Sequence, residues 1–408
     1  MTAAVLAGLG GCLPPRVVTN GELAAYLDTT DEWIRGRTGI AARRWVEPGT
    51  STGDLAVAAG ARALRAAGVA GVAGAAVAGG PGGVSGGGSD GVAGVAGVAG
   101  GVAGGVAGLA GLAGGVAGGV AGVDAVVVAT TTPDRLCPAT APEVAFRLGL
   151  AGVAAYDVAA ACTGFLYGLA SAVGMIAAGS ARRVLLIGAE TYSTIIDPKD
   201  RSTAVIFGDG AAAVVLRAGD PGEPGAIGPC DLGSDGGGSD LIEIPAGGSR
   251  QRSAGSRTQP EDHFFQMRGK QVYRHAVHRM AGSAQVALTR AGWGTAEVDR
   301  FVPHQANGRI SVAVAERLGI GPDRVLANIE QVGNTAAASI PLLLAQAAAD
   351  GRLLPGHRVL LAAFGGGLTW AATTLVWPEV AALTDPALTD PADTEPPPIA
   401  GGTPCSPS

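Results

Sequence analysis

The stretch DVAAACTGFLYGLASAVGMIAAG, Asp157–Gly179, decides how this chain is read. An apolar, strand-like run leads into it, and a long helix pattern of small and apolar residues leaves it. Cys162 stands at the junction. A thiol at a helix N-terminus meets the positive end of the dipole and free backbone N–H groups, and both favour the nucleophilic thiolate. The small neighbours Ala161, Thr163 and Gly164 leave room for a substrate. A buried structural cysteine is the competing reading, and this stretch alone leaves the two open.

Working outward, the 408 residues suffice for one large domain or two fused halves, and at 47% hydrophobic they can bury a sizeable core. A net charge of −6 argues against a general nucleic-acid binder. The five cysteines, Cys12, Cys137, Cys162, Cys230 and Cys405, are scattered and odd in number. That is no disulfide framework, and a reducing cytoplasm fits it. The N-terminus lacks a basic segment and reaches Pro14-Pro15 too early for a membrane span, so it reads as a first strand and turn.

Gly68–Val123 is built only from Gly, Ala, Val, Leu, Pro, Ser and one Asp, mostly as GVAG and GLAG units. Its glycine density makes a poor helix, and it has no bulky side chains for a core. It reads as a flexible low-complexity insertion, with a functional repeat as the minority alternative. Without it, strands and helices alternate, which predicts an α/β protein. Strands are expected at Ala125–Ala129, Val184–Ile187, Val214–Leu216 and Val359–Ala362. Helices are expected at Thr140–Leu148, Thr163–Ala178, Gln271–Ala291, Gly308–Leu318 and Ala336–Ala349. RRVLLIGAE followed by VIFGDGAAAVVLR is echoed by HRVLLAAFGGGLTWAATTLVW, which suggests a duplicated half. The expected organisation is an N-terminal half of residues 1–67 and 124–217, the insertion 68–123, a C-terminal half 218–378 and a disordered tail 379–408.

Three further places carry chemistry. In DRFVPHQANGRI, His304 follows a short apolar strand, at the kind of strand end where α/β sites gather. A histidine there can donate a hydrogen bond or exchange a proton, or simply belong to the core. In GNTAAASIP, Asn334 precedes a helix; it reads as an N-cap or as an amide that stabilises an oxyanion. In AFGGGLTW, Gly365–Gly367 lets backbone N–H groups approach a ligand oxygen, or forms a tight turn. His275 and His278 share a helix with no nearby carboxylate, which is weak evidence for metal.

Together with TTDEWIRGRTGI (Thr29–Ile40), ACTGFLYGL (Ala161–Leu169) and DRSTAVIFGDGAAAVVL (Asp200–Leu216), these motifs resemble the β-ketoacyl-acyl-carrier-protein synthase III family of the thiolase-like superfamily. The resemblance covers nearly everything but the insertion and tail. It implies a five-layer αβαβα fold from two duplicated halves and a homodimer. It implies Cys162 as the acyl-accepting nucleophile, with His304 and Asn334 as partners. The backbone N–H groups of Cys162 and Gly366 are then expected to form the oxyanion hole. The reaction implied is acyl loading from acyl-CoA, then decarboxylative condensation with a malonyl-acyl carrier protein, with no metal or redox cofactor. Trp33, Arg37 and Arg201 resemble coenzyme A contacts, and Arg309 resembles the carrier-docking residue.

Two departures matter. The family often has leucine where Gly308 stands, which is expected to loosen the helix bearing Arg309. Housekeeping members commonly place phenylalanine near Cys137, on a loop reaching the partner's acyl pocket; the smaller residue resembles synthases of specialised metabolism. Acyl transfer to a hydroxyl or amine without decarboxylation, and a catalytically silent partner subunit, are the alternatives.

Overall fold

The computed structural model describes residues 2–69, 122–150 and 152–385. The strands of its two main sheets are β1 (Ala3–Cys12), β2 (Ala125–Ala129), β3 (Ala154–Val158), β4 (Arg183–Thr191) and β5 (Asp209–Gly219), then β6 (Asp231–Ser234), β7 (Arg300–Pro303), β8 (Arg358–Gly365), β9 (Thr369–Val376) and β10 (Ala382–Leu383). The helices that matter for the site are α1 (Asp31–Thr38), α2 (Thr52–Ala66), α3 (Ala141–Arg147), α4 (Gly164–Ala177), α5 (Gly269–Ala291), α6 (Gly308–Leu318) and α7 (Ser339–Ala349).

The sequence echo is an architectural repeat. In the first half, β4 pairs antiparallel with β5 and parallel with β2. In the second, β8 pairs antiparallel with β9 and parallel with β7. The full strand orders are β10-β1-β5-β4-β2-β3 and β7-β8-β9-β6.

The central strands carry unbroken apolar runs, such as VLLIGA in β4 and VLLAAFG in β8, because each sheet is covered on both faces there. Val184 and Leu186 of β4 face the core shared with α4 and α7, while Leu185 and Ile187 face α2 and α3. On β8, Leu361 and Ala363 face that same central core, and Leu360 and Phe364 face α5 and α6. The layers therefore run α2/α3, first sheet, α4/α7, second sheet, α5/α6, the αβαβα order that the resemblance implies. The middle layer is tight. A Cβ on Gly188 of β4 would come 2.5 Å from the carbonyl oxygen of Ala337, just before α7.

Several boundaries shift. β4 and β5 extend well beyond their apolar cores, and β8 runs from Arg358 to Gly365, because pairing continues through small and polar residues. Residues 336–338 form a 3₁₀ turn, and the α-helix begins only at Ser339. The insertion's flanks belong to the fold. Val69 and Val123 are buried in the core under α2 and α3, so the predicted segment Gly68–Val123 is too long at both ends. Its remainder, 70–121, lies outside the described residues. The tail prediction is also corrected at its start. β10 pairs parallel with β1, with Leu9 opposite Ala382, and Asp385 meets Arg62 at 3.1 Å. Residues 386–408 lie outside the described residues.

Candidate active site

Cys162 lies in a 3₁₀ turn, Ala161–Thr163, that feeds α4. The turn is entered through Ala161 at φ 43°, a left-handed backbone that side chains rarely adopt. Gly365 of β8 closes on it: a Cβ on Gly365 would stand 2.8 Å from the Cys162 nitrogen. Only glycine fits this approach. Gly366, expected in the oxyanion hole, lies one residue on. Its virtual Cβ falls 3.6 Å from Ala161 Cβ, and it is Gly365 that lines the cavity with Cys162.

The structure reverses the electrostatic expectation for this thiol. Cys162 is part-exposed, but only onto a narrow cavity of about 40 Å³ with almost wholly apolar walls. Walls of that kind offer a thiolate little solvation. Burial pushes the thiol up to about 12, and the Glu190 carboxylate adds to the shift, while a local backbone N–H opposes both without prevailing. Burial and Glu190 together favour the neutral thiol at rest.

His304 follows β7 and is 1% exposed. Its N–H donates to Ala362 of β8 at 2.8 Å, so it prolongs the parallel pairing. Its Nδ1 lies 2.6 Å from Ser339 Oγ, on the first residue of α7. Burial drives the imidazole down to about 3, so the ring is neutral. Gln305, also buried, donates to Pro303 O at 2.8 Å and accepts from the Asn328 N–H at 3.2 Å, which fixes the turn carrying His304.

Asn334 is held by a bridge to the first half. Its N–H donates to Ile206 O at 2.9 Å, and its carbonyl accepts from the Gly208 N–H at 3.0 Å. Its Oδ1 accepts the N–H of Ala336 at 2.9 Å. That bond orients the amide and leaves the NH₂ group as the free donor. Cys162, His304 and Asn334 thus line one cavity, although they come from three separate stretches of the chain.

Asn334 also lines a second, larger cleft of about 890 Å³ that reaches Trp33, Arg37, Arg201 and Arg309. The Trp33 ring carries the guanidinium of Arg201 at 4.8 Å and that of Arg37 at 5.3 Å. A flat aromatic beside two cations offers a base a stacking face and phosphates their counter-charges. Arg309 sits at the start of α6. That helix is intact, contrary to expectation: Asn307 caps it, with Oδ1 accepting the Arg309 N–H at 2.9 Å. Gly308 instead permits close packing, since its virtual Cβ would lie 3.2 Å from Thr38 O at the end of α1.

Cys137 is exposed on the loop between β2 and α3 and does not line its own chain's cavity. Among the described residues no cluster of three or more histidine, cysteine or acidic side chains is placed to hold a metal. No helix there is long and apolar enough to cross a membrane.

Sequence reasoning passed over four residues beside this site. Ser339 and Gln305 lay inside motifs already noticed. Tyr192, fully buried, lines the cavity and stacks on Phe207 at 4.6 Å. Glu190 is a buried carboxyl raised to about 7 by burial, and it accepts from the Thr131 N–H and from the Thr132 hydroxyl at 2.8 Å. Its only sequence signal was a charge inside an apolar strand.

The five layers and this junction of central helices define a thiolase-like condensing fold. Residues 156–236 match the family described as 3-oxoacyl-[acyl-carrier-protein (ACP)] synthase III, and residues 288–377 match its C-terminal counterpart. The chain is 55% identical over 381 residues to β-ketoacyl-[acyl-carrier-protein] synthase III 5 of Streptomyces coelicolor, covering 93% of this chain and 99% of that protein. The 3-oxoacyl-(acyl carrier protein) synthase III of Pseudomonas aeruginosa superposes with a TM-score of 0.76 at 42% identity, over 93% of this chain and 99% of that one. The priming β-ketosynthase of the R1128 polyketide pathway gives 0.74 at 31% identity, over 92% and 96%. The chain belongs to the β-ketoacyl-acyl-carrier-protein synthase III family, and it is an enzyme of that condensing class.

Proposed function

We propose that this chain loads an acyl group from acyl-CoA onto Cys162 and condenses it with a malonyl-acyl carrier protein, starting a fatty-acid or polyketide chain. The observation that carries the reading is the meeting of Cys162, His304 and Asn334 in one cavity, with Asn334 shared by the cleft that extends to Trp33. That cleft has the volume and chemistry for a pantetheine arm: mostly apolar along its walls, with Trp33, Arg37 and Arg201 for the nucleotide end and Arg309 for a phosphorylated carrier.

In the first step the Cys162 sulfur forms a bond to the acyl carbonyl carbon, the bond from that carbon to the coenzyme A sulfur breaks, and the leaving thiolate takes the proton. A resting thiol with a high pKa gives up its proton only as the leaving group accepts it. The oxyanion is met by the Cys162 N–H and by an N–H of the Gly365–Gly366 turn. In the second step the malonyl thioester loses CO₂, and the resulting enolate oxygen takes hydrogen bonds from His304 and from the Asn334 amide. The enolate carbon attacks the acyl-cysteine, a C–C bond forms, the C–S bond breaks, and the departing Cys162 thiolate takes one proton from solvent. The reaction so written uses no metal or redox cofactor.

The same reading makes the protein a cytoplasmic homodimer in which the exposed Cys137 loop borders the partner's acyl cavity. A cysteine there, in place of a phenylalanine, gives a larger cavity and a starter longer or more branched than acetyl. Intact-protein mass spectrometry after exposure to an acyl-CoA panel, with and without malonyl-acyl carrier protein, tests the whole. The expected result is one acyl adduct per chain, discharged as a β-ketoacyl carrier product when the malonyl carrier is added. Discharge onto a hydroxyl or amine acceptor alone would replace condensation with simple acyl transfer, and no adduct with any donor would indicate a silent subunit.

A further inference from the structure

We infer that Ser339 is a positioning residue that fixes the tautomer of His304, placing its single proton on Nε2 and so making it a hydrogen-bond donor, not a base, in the cavity. The inference rests on the condensation reading for its functional consequence, but its structural content comes from counting protons. Ser339 Oγ has two polar neighbours among the described residues: the Gln305 backbone N–H at 3.3 Å and His304 Nδ1 at 2.6 Å. An N–H can only donate, so Ser339 must accept from Gln305. The serine proton then has one acceptor within reach, Nδ1.

The opposite arrangement puts the proton on Nδ1, donating to Ser339. The serine oxygen would then accept two N–H bonds while its own proton, in a residue only 1% exposed, found no acceptor. Leaving a buried hydroxyl proton unpaired is costly, and the Nε2–H tautomer avoids that cost. Doubly protonated histidine is excluded by the same contact, since Nδ1 cannot then accept, and burial keeps the ring neutral.

With Nδ1 engaged, the ring faces the cavity through its remaining edge, and Nε2 meets no partner among the described residues. Asn334 is oriented the same way by a different device, since the Ala336 N–H occupies its oxygen and leaves its NH₂ free. Two neutral donors therefore converge where an enolate oxygen would develop. A base at this position would deprotonate thiols or waters; a fixed donor stabilises negative charge without proton transfer.

The test is ¹⁵N–¹H correlation spectroscopy of the full-length protein labelled at histidine, with His304→Gln used to assign the His304 ring signals. The wild type is expected to show the Nε2–H pattern, unchanged between pH 6 and 9. Proton on Nδ1 in the wild type would overturn the inference irrespective of any variant. Ser339→Ala is expected to populate the Nδ1–H form and to lower malonyl decarboxylation about tenfold or more. Acyl loading of Cys162 should stay within about twofold of wild type. Ser339→Thr keeps the hydroxyl and should restore both the Nε2–H pattern and most of the decarboxylation. A Ser339→Ala protein with the wild-type tautomer and rate would sink the assignment. Failure of the condensation reading is separable: acyl loading and decarboxylation would then be absent in the wild type, while the ring signals would still report where the proton sits.

Discussion

The two central helices are entered in nearly the same way and put to different uses. α4 is preceded by the 3₁₀ turn Ala161–Thr163, and α7 by the 3₁₀ turn Ala336–Ala338. Each turn opens on an alanine in the left-handed region, Ala161 at φ 43° and Ala336 at φ 45°. In the first half the next residue is Cys162, so the twist places the thiol residue on the cavity wall. In the second half the twisted residue's N–H is taken by Asn334 Oδ1, so the same twist orients an amide. Under the proposed reaction, a duplicated backbone device thus supplies a bond-forming atom from one half and a charge-stabilising donor from the other. The comparison makes a sharp prediction: damage to the first entry stops chemistry, and damage to the second slows only the step in which negative charge develops on oxygen.

The largest effect is expected from Cys162→Ala. It should abolish the acyl adduct in intact-protein mass spectrometry while preserving the fold by circular dichroism. An adduct retained in that variant would remove Cys162 from its role. Next in size, His304→Ala and Asn334→Ala should each still accept an acyl group but lose about 10²–10³ in malonyl decarboxylation, the usual cost of one oxyanion donor. Release of CO₂ from labelled malonyl carrier measures this directly. Near-normal release from both variants would mean that the second entry is structural only.

Much of this comparison is legible in the sequence. Cys162, His304 and Asn334 sit in short local motifs at element boundaries, and the paired hairpins appear as repeated apolar runs. What was hidden depends on contacts between distant segments. The hydrogen bond from Ser339 to His304 spans 35 residues, and nothing in AAASIP distinguishes a serine that caps a helix from one that orients a ring. The high pKa of Cys162 comes from desolvation and from Glu190 on β4, whereas the local sequence shows only the helix start, which predicts the opposite direction. Gly308 read as a helix defect because its neighbour Thr38 is remote in sequence. Ala382–Leu383 read as tail because two residues paired to an edge strand leave no periodic signal.

A smaller but more discriminating effect concerns which force governs the thiol. Thiolate is the form that alkylates, and its fraction rises tenfold per pH unit as long as pH stays below the pKa. Burial pushes Cys162 up to about 12, so its modification by iodoacetamide, followed at the Cys162 peptide, should rise about tenfold per unit from pH 7 to 10 with no plateau. A plateau near pH 8 would show that the helix terminus outweighs burial after all. Glu190→Gln removes a contributing negative charge without emptying the space, and should speed alkylation severalfold above pH 8, where Glu190 is ionised, and less near pH 7, where it is partly neutral.

The smallest expected effect tests the shared twist itself. A left-handed backbone costs a non-glycine residue about 1–2 kcal/mol. Replacing it by glycine relieves that strain but returns about 0.5–1 kcal/mol through the greater freedom of the unfolded chain. Ala161→Gly and Ala336→Gly should therefore be neutral to slightly stabilising, with Tm higher by at most a few degrees. Ala161→Val and Ala336→Val place a β-branched side chain where only glycine is at ease, and both should lower Tm. The two sites should then part in activity. Ala336→Gly leaves the hydrogen bond from the residue 336 N–H to Asn334 in place, so it should keep most of its decarboxylation. Ala161→Gly frees the turn that aims Cys162, and should lose acyl loading severalfold. Equal losses at both sites would mean that the second entry needs its twist as much as the first, and the division of labour between the halves would have to be redrawn.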